Sequence, residues 1–178
     1  MALIQIEKNI FKKYLSNDEI LNRVQLISVD INNKYQNKEI TLIGVLNGCI
    51  PFMNTLMSSI TCNYSYDFIK VSSYNKFKSS EISLDLKINK NSIKDKNIFI
   101  IEDIIDSGKT LEYIKKYLLS LNPKSLKIIS LLVKDKTKHM SDWYGFEIPD
   151  QFVIGFGMDY ENAYRNLKDI YIIEKNEK

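Results

Sequence analysis

Apolar residues fall at Ile20, Val24, Ile27 and Ile31, the spacing of one helical face, and predict an amphipathic helix over 17–35 with Ser16 and Asn17 as candidate N-caps and Glu19 just behind. From Thr41 to Leu46 the chain becomes a nearly unbroken apolar run ended by Asn47-Gly48, which is how a strand buried on both faces reads. Pro51 then suits the first turn of a helix reaching about Ile60. Tyr64 to Ser72 reads as a second strand, Ser73 to Ser80 as an exposed polar loop, and Ile82 to Ile88, which alternates, as a half-exposed strand. After a polar turn over 89–96 come an apolar strand, Ile98 to Ile101, a helix from about Lys109 to Leu121 closed off by Pro123, and a further strand, Leu126 to Val133. Strands alternating with helices predict an α/β fold with a parallel sheet and right-handed crossovers. Beyond Lys134, Gly145, Pro149, Gly155 and Gly157 interrupt short strands at 151–156 and 170–173, which predicts an irregular cap over the sheet edge.

A length of 178 residues suits a single domain over 1–178, with a core of about 17–134 and a hood formed by the N-terminal residues and about 135–178. With 25 basic against 22 acidic residues the charge is nearly balanced, which argues against a nucleic-acid-binding face. Cys49 and Cys62 are the only cysteines and have neither disulfide-framework nor zinc-site spacing, so reduced thiols are expected. No run approaches the length of a membrane span and the first residues do not resemble a cleaved leader, so the expectation is a cytoplasmic protein without membrane or nucleic-acid partners.

Chemistry concentrates in the stretch from Ile98 to Leu111. An apolar strand leads into the adjacent carboxylates Glu102 and Asp103, and then into the turn Asp106-Ser107-Gly108-Lys109-Thr110 that opens a helix. Gly108 lets the backbone bend so that successive N–H groups point inward. The Ser107 and Thr110 hydroxyls add donors, and the helix N-terminus favours an anion, so the turn suits a phosphomonoester. A P-loop would need glycine where Asp103 stands, which argues against an ATPase. Glu102 and Asp103 lie where they could accept hydrogen bonds from sugar hydroxyls or orient a metal-bound water. Asp106 could also cap the following helix.

Together with Leu46-Asn47-Gly48, Ser72-Ser73-Tyr74, Leu131-Leu132-Val133-Lys134, and Gly145 to Gly155 followed by Met158-Asp159-Tyr160 and Arg165, this stretch resembles the purine phosphoribosyltransferases. The resemblance is closest to their hypoxanthine-guanine members and spans roughly residues 15–174. It implies the type I phosphoribosyltransferase fold, a Rossmann-like parallel sheet with a hood. It also implies transfer of a phosphoribosyl group from phosphoribosyl pyrophosphate to a 6-oxopurine, with Mg²⁺, in a homodimer or homotetramer.

By the same resemblance Asp106 is the acid or base at the purine N7, Asp159 is the direct Mg²⁺ ligand, and Glu102 and Asp103 are possible indirect ones. Lys134 donates to the 6-oxo group, Phe152 stacks on the base, Val153 reads its edge through the backbone, and Met158 forms a side wall. Arg165 and the loop Leu46, Asn47, Gly48 bind pyrophosphate, with a cis peptide between Leu46 and Asn47, and Ser73 and Tyr74 belong to a mobile lid. Asn47 departs from the Lys or Arg usual there; backbone amides could still hold pyrophosphate, and the loop's share of that binding stays open on sequence. Two other readings stay open on sequence: a nucleic-acid-binding regulator that keeps the sugar-phosphate site, and an inactive scaffold. His139, the only histidine, is assigned no role.

Overall fold

The protein is described by a computed structural model covering residues 3–76 and 79–174, with backbone alone for 73–76 and 79–82. In chain order the elements are β1 (Leu3–Ile6), β2 (Asn9–Leu15), α1 (Asn17–Tyr35), β3 (Ile40–Leu46), α2 (Ile50–Ser59), β4 (Tyr64–Lys76), β5 (Ser79–Leu86), β6 (Asn97–Ile105), α3 (Lys109–Leu119), β7 (Ser125–Lys134), β8 (Trp143–Ile148), β9 (Val153–Ile154) and β10 (Ile170–Ile173). The main sheet runs β5-β4-β3-β6-β7-β8, parallel apart from β5. It carries α1 and α2 on one face and α3 on the other. Its central strands have no exposed side: Leu42, Phe99 and Ile129 face the first pair of helices while Ile43, Ile100 and Ile128 face α3. Among the described residues no helix is long and apolar enough to cross a membrane.

The start of α1 shows how the local sequence sets an element boundary. The Glu19 backbone N–H donates to the Ser16 hydroxyl at 3.3 Å, while the Ser16 N–H donates to the Glu19 carboxylate at 2.8 Å, a capping box that fixes Ser16 rather than Asn17 as the cap. Behind it Ile20, Val24, Ile27 and Ile31 bury one face, as their spacing predicts.

Four differences from the sequence reading matter for the site. β6 does not stop at Ile101 but runs on through Glu102 and Asp103 to Ile105, because those residues keep pairing with β7, Glu102 opposite Ser130 and Ile104 opposite Leu132. The acids therefore sit on a rigid strand end and not in a loop. The stretch read as a loop after Ser72 is strand as far as Lys76. Residues 143–148 form β8, the far edge of the main sheet, rather than a fragment of the hood. Finally, the cap read as irregular is an ordered sheet: residues 3–15 form a hairpin, and β2 pairs with β10, so that β1-β2-β10-β9 make a separate antiparallel sheet from the N-terminal residues and the late strands expected to form the hood. Ile6, Phe11, Ile154 and Tyr171 close the small core of that sheet.

Candidate active site

The order of the main sheet reverses direction between β3 and β6, and the loops at the carboxyl ends of those strands open a crevice, the place where open α/β sheets take ligands. At one end of the crevice the chain leaves β6 through Asp106-Ser107-Gly108 and enters α3. Gly108, at φ 77°, is the N-cap of α3 and carries the left-handed turn that a side chain would resist. Glu102, Asp106, Ser107, Gly108 and Thr110 line a cavity of about 100 Å³ there. Lys109, grouped with them by sequence, is the exposed first residue of α3 and does not line it. Nor does Asp106 cap the helix, since no side chain does; its carboxylate turns instead toward Lys134.

In the middle of the crevice Leu46, Asn47, Gly48, Ser72, Glu102, Asp103, Asp159 and Arg165 surround about 270 Å³. The Leu46–Asn47 peptide is cis. A Cβ on Gly48 would overlap the Asp103 carboxylate, so the loop after β3 can lie against the acids of β6 only because residue 48 has no side chain. Burial, reinforced by the neighbouring Asp103, raises Glu102 well above the ordinary carboxylate range. Burial also lifts Asp103 to about 6, against the backbone N–H groups and Arg165 that pull it down. The same enclosure, with these two acids, pushes the Cys49 thiol up to about 12. Arg165 ties this region to the hood: one guanidinium nitrogen lies 2.5 Å from an Asp159 carboxylate oxygen and the other donates to the Gly157 carbonyl at 2.7 Å.

At the far end Asp106, Lys134, Asp150, Gln151, Phe152, Val153, Met158 and Asp159 line about 410 Å³. Lys134 ends β7, its backbone N–H donating to the Thr137 hydroxyl at 3.2 Å. Its ammonium lies 2.6 Å from Asp106 Oδ1 and 2.5 Å from Asp150 Oδ1. Burial opposes its charge, but the two carboxylates outweigh that and hold its pKa above the usual value. Phe152 presents a half-exposed ring to the cavity and meets Phe11 and Tyr160 edge-on, with centroids 6.5 and 6.0 Å away. Tyr160 is itself anchored, accepting a hydrogen bond from Asn9 at 3.3 Å and donating to Glu7 at 3.4 Å.

These cavities are parts of one cleft: Glu102 and Thr110 wall both the first and the second, Asp103 and Asp159 the second and the third, and Asp106 the first and the third. The residues selected by sequence therefore converge, apart from Lys109 and from Ser73 and Tyr74. The last two lie on β4 with side chains outside the described residues. Sequence reasoning gives no role to Asp150, Gln151 or Tyr160, although its quoted segments contain them, and passes over Phe11. The first two sit inside the quoted Gly145 to Gly155 segment and could have been found there, whereas nothing local marks Phe11.

The phosphoribosyl transferase domain family matches residues 11–161. A hypoxanthine-guanine phosphoribosyltransferase of Bacillus subtilis is 39% identical over 175 residues, covering 95% of this chain and 96% of that one. Its Lactococcus lactis counterpart is 36% identical over 174 residues, covering 95% and 94%. Among solved structures, a hypoxanthine phosphoribosyltransferase from Staphylococcus aureus superposes with a TM-score of 0.85 at 34% identity, covering 92% of this chain and 91% of that one. One from Trypanosoma cruzi, in complex with the product IMP, gives 0.84 at 28%, covering 98% and 100%. With its fold, its cleft and these relatives in agreement, the chain belongs to the hypoxanthine-guanine phosphoribosyltransferases.

Proposed function

We propose that the cleft divides its substrates among its three compartments, the turn cavity taking the 5′-phosphate of phosphoribosyl pyrophosphate, the acidic cavity its ribose hydroxyls and pyrophosphate, and the aromatic cavity a 6-oxopurine. The enzyme is a purine salvage transferase that joins the phosphoribosyl group to N9 of hypoxanthine or guanine and releases pyrophosphate. The observation carrying the assignment is the shared wall: Asp106 belongs to both the turn cavity and the aromatic cavity, where a bond between ribose and base must form.

In this reading the chain mainly positions reactants and stabilises charge. Backbone N–H groups of the turn from Asp106 to Thr110 hold the phosphate, and Arg165, a planar and permanent cation, meets the departing pyrophosphate. Asp106 takes or shares the proton at N7 as N9 attacks C1 of the ribose. Lys134 donates to the 6-oxo group and has nothing to accept from a 6-amino group, so adenine is refused. Phe152, Met158 and the Val153 backbone clasp the ring.

Among the described residues no three His, Cys, Asp or Glu side chains form an all-protein metal cage. The carboxylates that share the acidic cavity nevertheless fit a hard cation that keeps water and substrate oxygens around it. Asp159 would hold Mg²⁺ directly, with Glu102 and Asp103 behind water, and the bound ion supplies positive charge against the pyrophosphate. We read the enzyme as a cytoplasmic homodimer or homotetramer, as the family resemblance implies.

Steady-state rates with hypoxanthine, guanine, xanthine and adenine, each with phosphoribosyl pyrophosphate and Mg²⁺, test the reading. The expected result is turnover of hypoxanthine or guanine with kcat/KM for adenine lower by about 100-fold or more. Adenine accepted on equal terms, or no Mg²⁺-dependent turnover of any base, would overturn it.

A further inference from the structure

Lys134 is gripped from two sides. Asp106 approaches its ammonium from the turn after β6, and Asp150, just beyond β8, approaches from across the aromatic cavity at 2.5 Å. An ammonium has three N–H donors, so two carboxylates leave one for a ligand in the cavity that all three residues line. The lysine side chain is 10% exposed and the Asp150 side chain 69% exposed, so the anchor is a surface carboxylate reaching inward to a nearly buried cation. The second oxygen of Asp150 lies 3.4 Å from the Lys136 ammonium, which steadies it. The family resemblance includes Asp150 in the Gly145 to Gly155 segment but gives it no role.

We infer that Asp150 is a positioning residue for base selection, holding the Lys134 ammonium on the side away from Asp106 so that the lysine stays aimed at the 6-oxo group while Asp106 turns to the ring nitrogen. This rests on the proposed role of Lys134. Without Asp150 the ammonium has one carboxylate left, and pairing with it occupies both the selecting cation and the proton-handling acid. Asp150 also precedes Phe152 by two residues, so the anchor and the stacking ring ride on the same short segment.

The test is steady-state kinetics of Asp150→Asn, Asp150→Glu and Lys134→Gln. Asp150→Asn should raise KM for hypoxanthine about tenfold while KM for phosphoribosyl pyrophosphate stays within about twofold, and Asp150→Glu should recover to within about threefold of the parent enzyme. The basic limb of the pH profile should move to lower pH in Asp150→Asn, because Lys134, faced by Asp106, Asp150 and Lys136, loses one of the two carboxylates that hold its proton. Residue 150 is exposed, so melting temperatures should stay level and separate this effect from misfolding. A parental KM and an unmoved basic limb in Asp150→Asn would overturn the inference. A parental hypoxanthine KM in Lys134→Gln would overturn instead the role of Lys134 beneath it.

Discussion

At the turn after β6 the cleft is made of neighbours in sequence, Asp106 to Thr110, whose backbone and small hydroxyls form the cavity. At the opposite end Lys134, Asp150, Phe152, Phe11 and Tyr160 arrive from β7, from the loops after β8 and β9, and from β2, across two sheets. Recognition of a phosphate, the same in every phosphorylated sugar, needs only aligned N–H groups at a helix start. Selection among flat bases that differ by one exocyclic atom needs side chains of fixed sign and orientation, and here each is held by another: Lys134 by two carboxylates, Phe152 by two rings. The generic half of the site is local, and the selective half is assembled.

The largest expected effect probes the residue that belongs to both ends. Asp106→Asn keeps the turn and removes the proton acceptor, so turnover should fall about 10²- to 10⁴-fold while phosphoribosyl pyrophosphate binds as before in a titration. Retained turnover would take Asp106 out of the chemistry and leave the two ends joined only by proximity.

The acidic middle gives the next effect, and it concerns stability. Asp103 is held near 6 in the folded chain against 3.8 as its ordinary value, so between those pH values the folded state keeps a proton that the unfolded chain has lost. Stability of the metal-free enzyme should therefore fall as pH rises through that window, by up to roughly 3 kcal/mol. Glu102, also raised, adds a slope of the same sign. Urea unfolding at a series of pH values in chelator should show the decline in the parent and a flatter profile in Asp103→Asn; parallel profiles would remove Asp103 as its source.

The smallest effect tests whether the base end depends on the hood. Phe11 is fully buried and supports Phe152, so Phe11→Leu should cost about 1 kcal/mol in denaturation and raise hypoxanthine KM by about two- to threefold. KM for phosphoribosyl pyrophosphate should not move. Equal movement of both constants would mean that the hood serves the cleft as a whole.

What the sequence makes legible follows the same division. The rhythm of Ile20 to Ile31 marks α1 to the residue, and the turn that opens α3 reads directly, because in both cases the determining interactions lie within a few positions of each other. Glu102 and Asp103 look like the start of a loop since nothing in their own chemistry reveals the pairing with β7 that keeps them in strand. Gly145 looks like a breaker, yet it sits inside β8, where a Cβ would press on the Leu131 carbonyl of the adjoining strand. Phe11 is invisible because β2, besides its local partner β1, pairs with residues 170–173, and no local pattern encodes a pairing at that separation.

That pairing also sets an order of assembly. As the chain emerges from the ribosome, β3, β6 and β7 can come together and the turn between β6 and α3 can close before residues 170–173 are made. The strand carrying Phe11 must wait for Ile170–Ile173, among the last of the described residues, before it has a neighbour on that edge. A chain cut before Ile170 would thus hold the finished turn between β6 and α3 beside an aromatic wall still lacking its support.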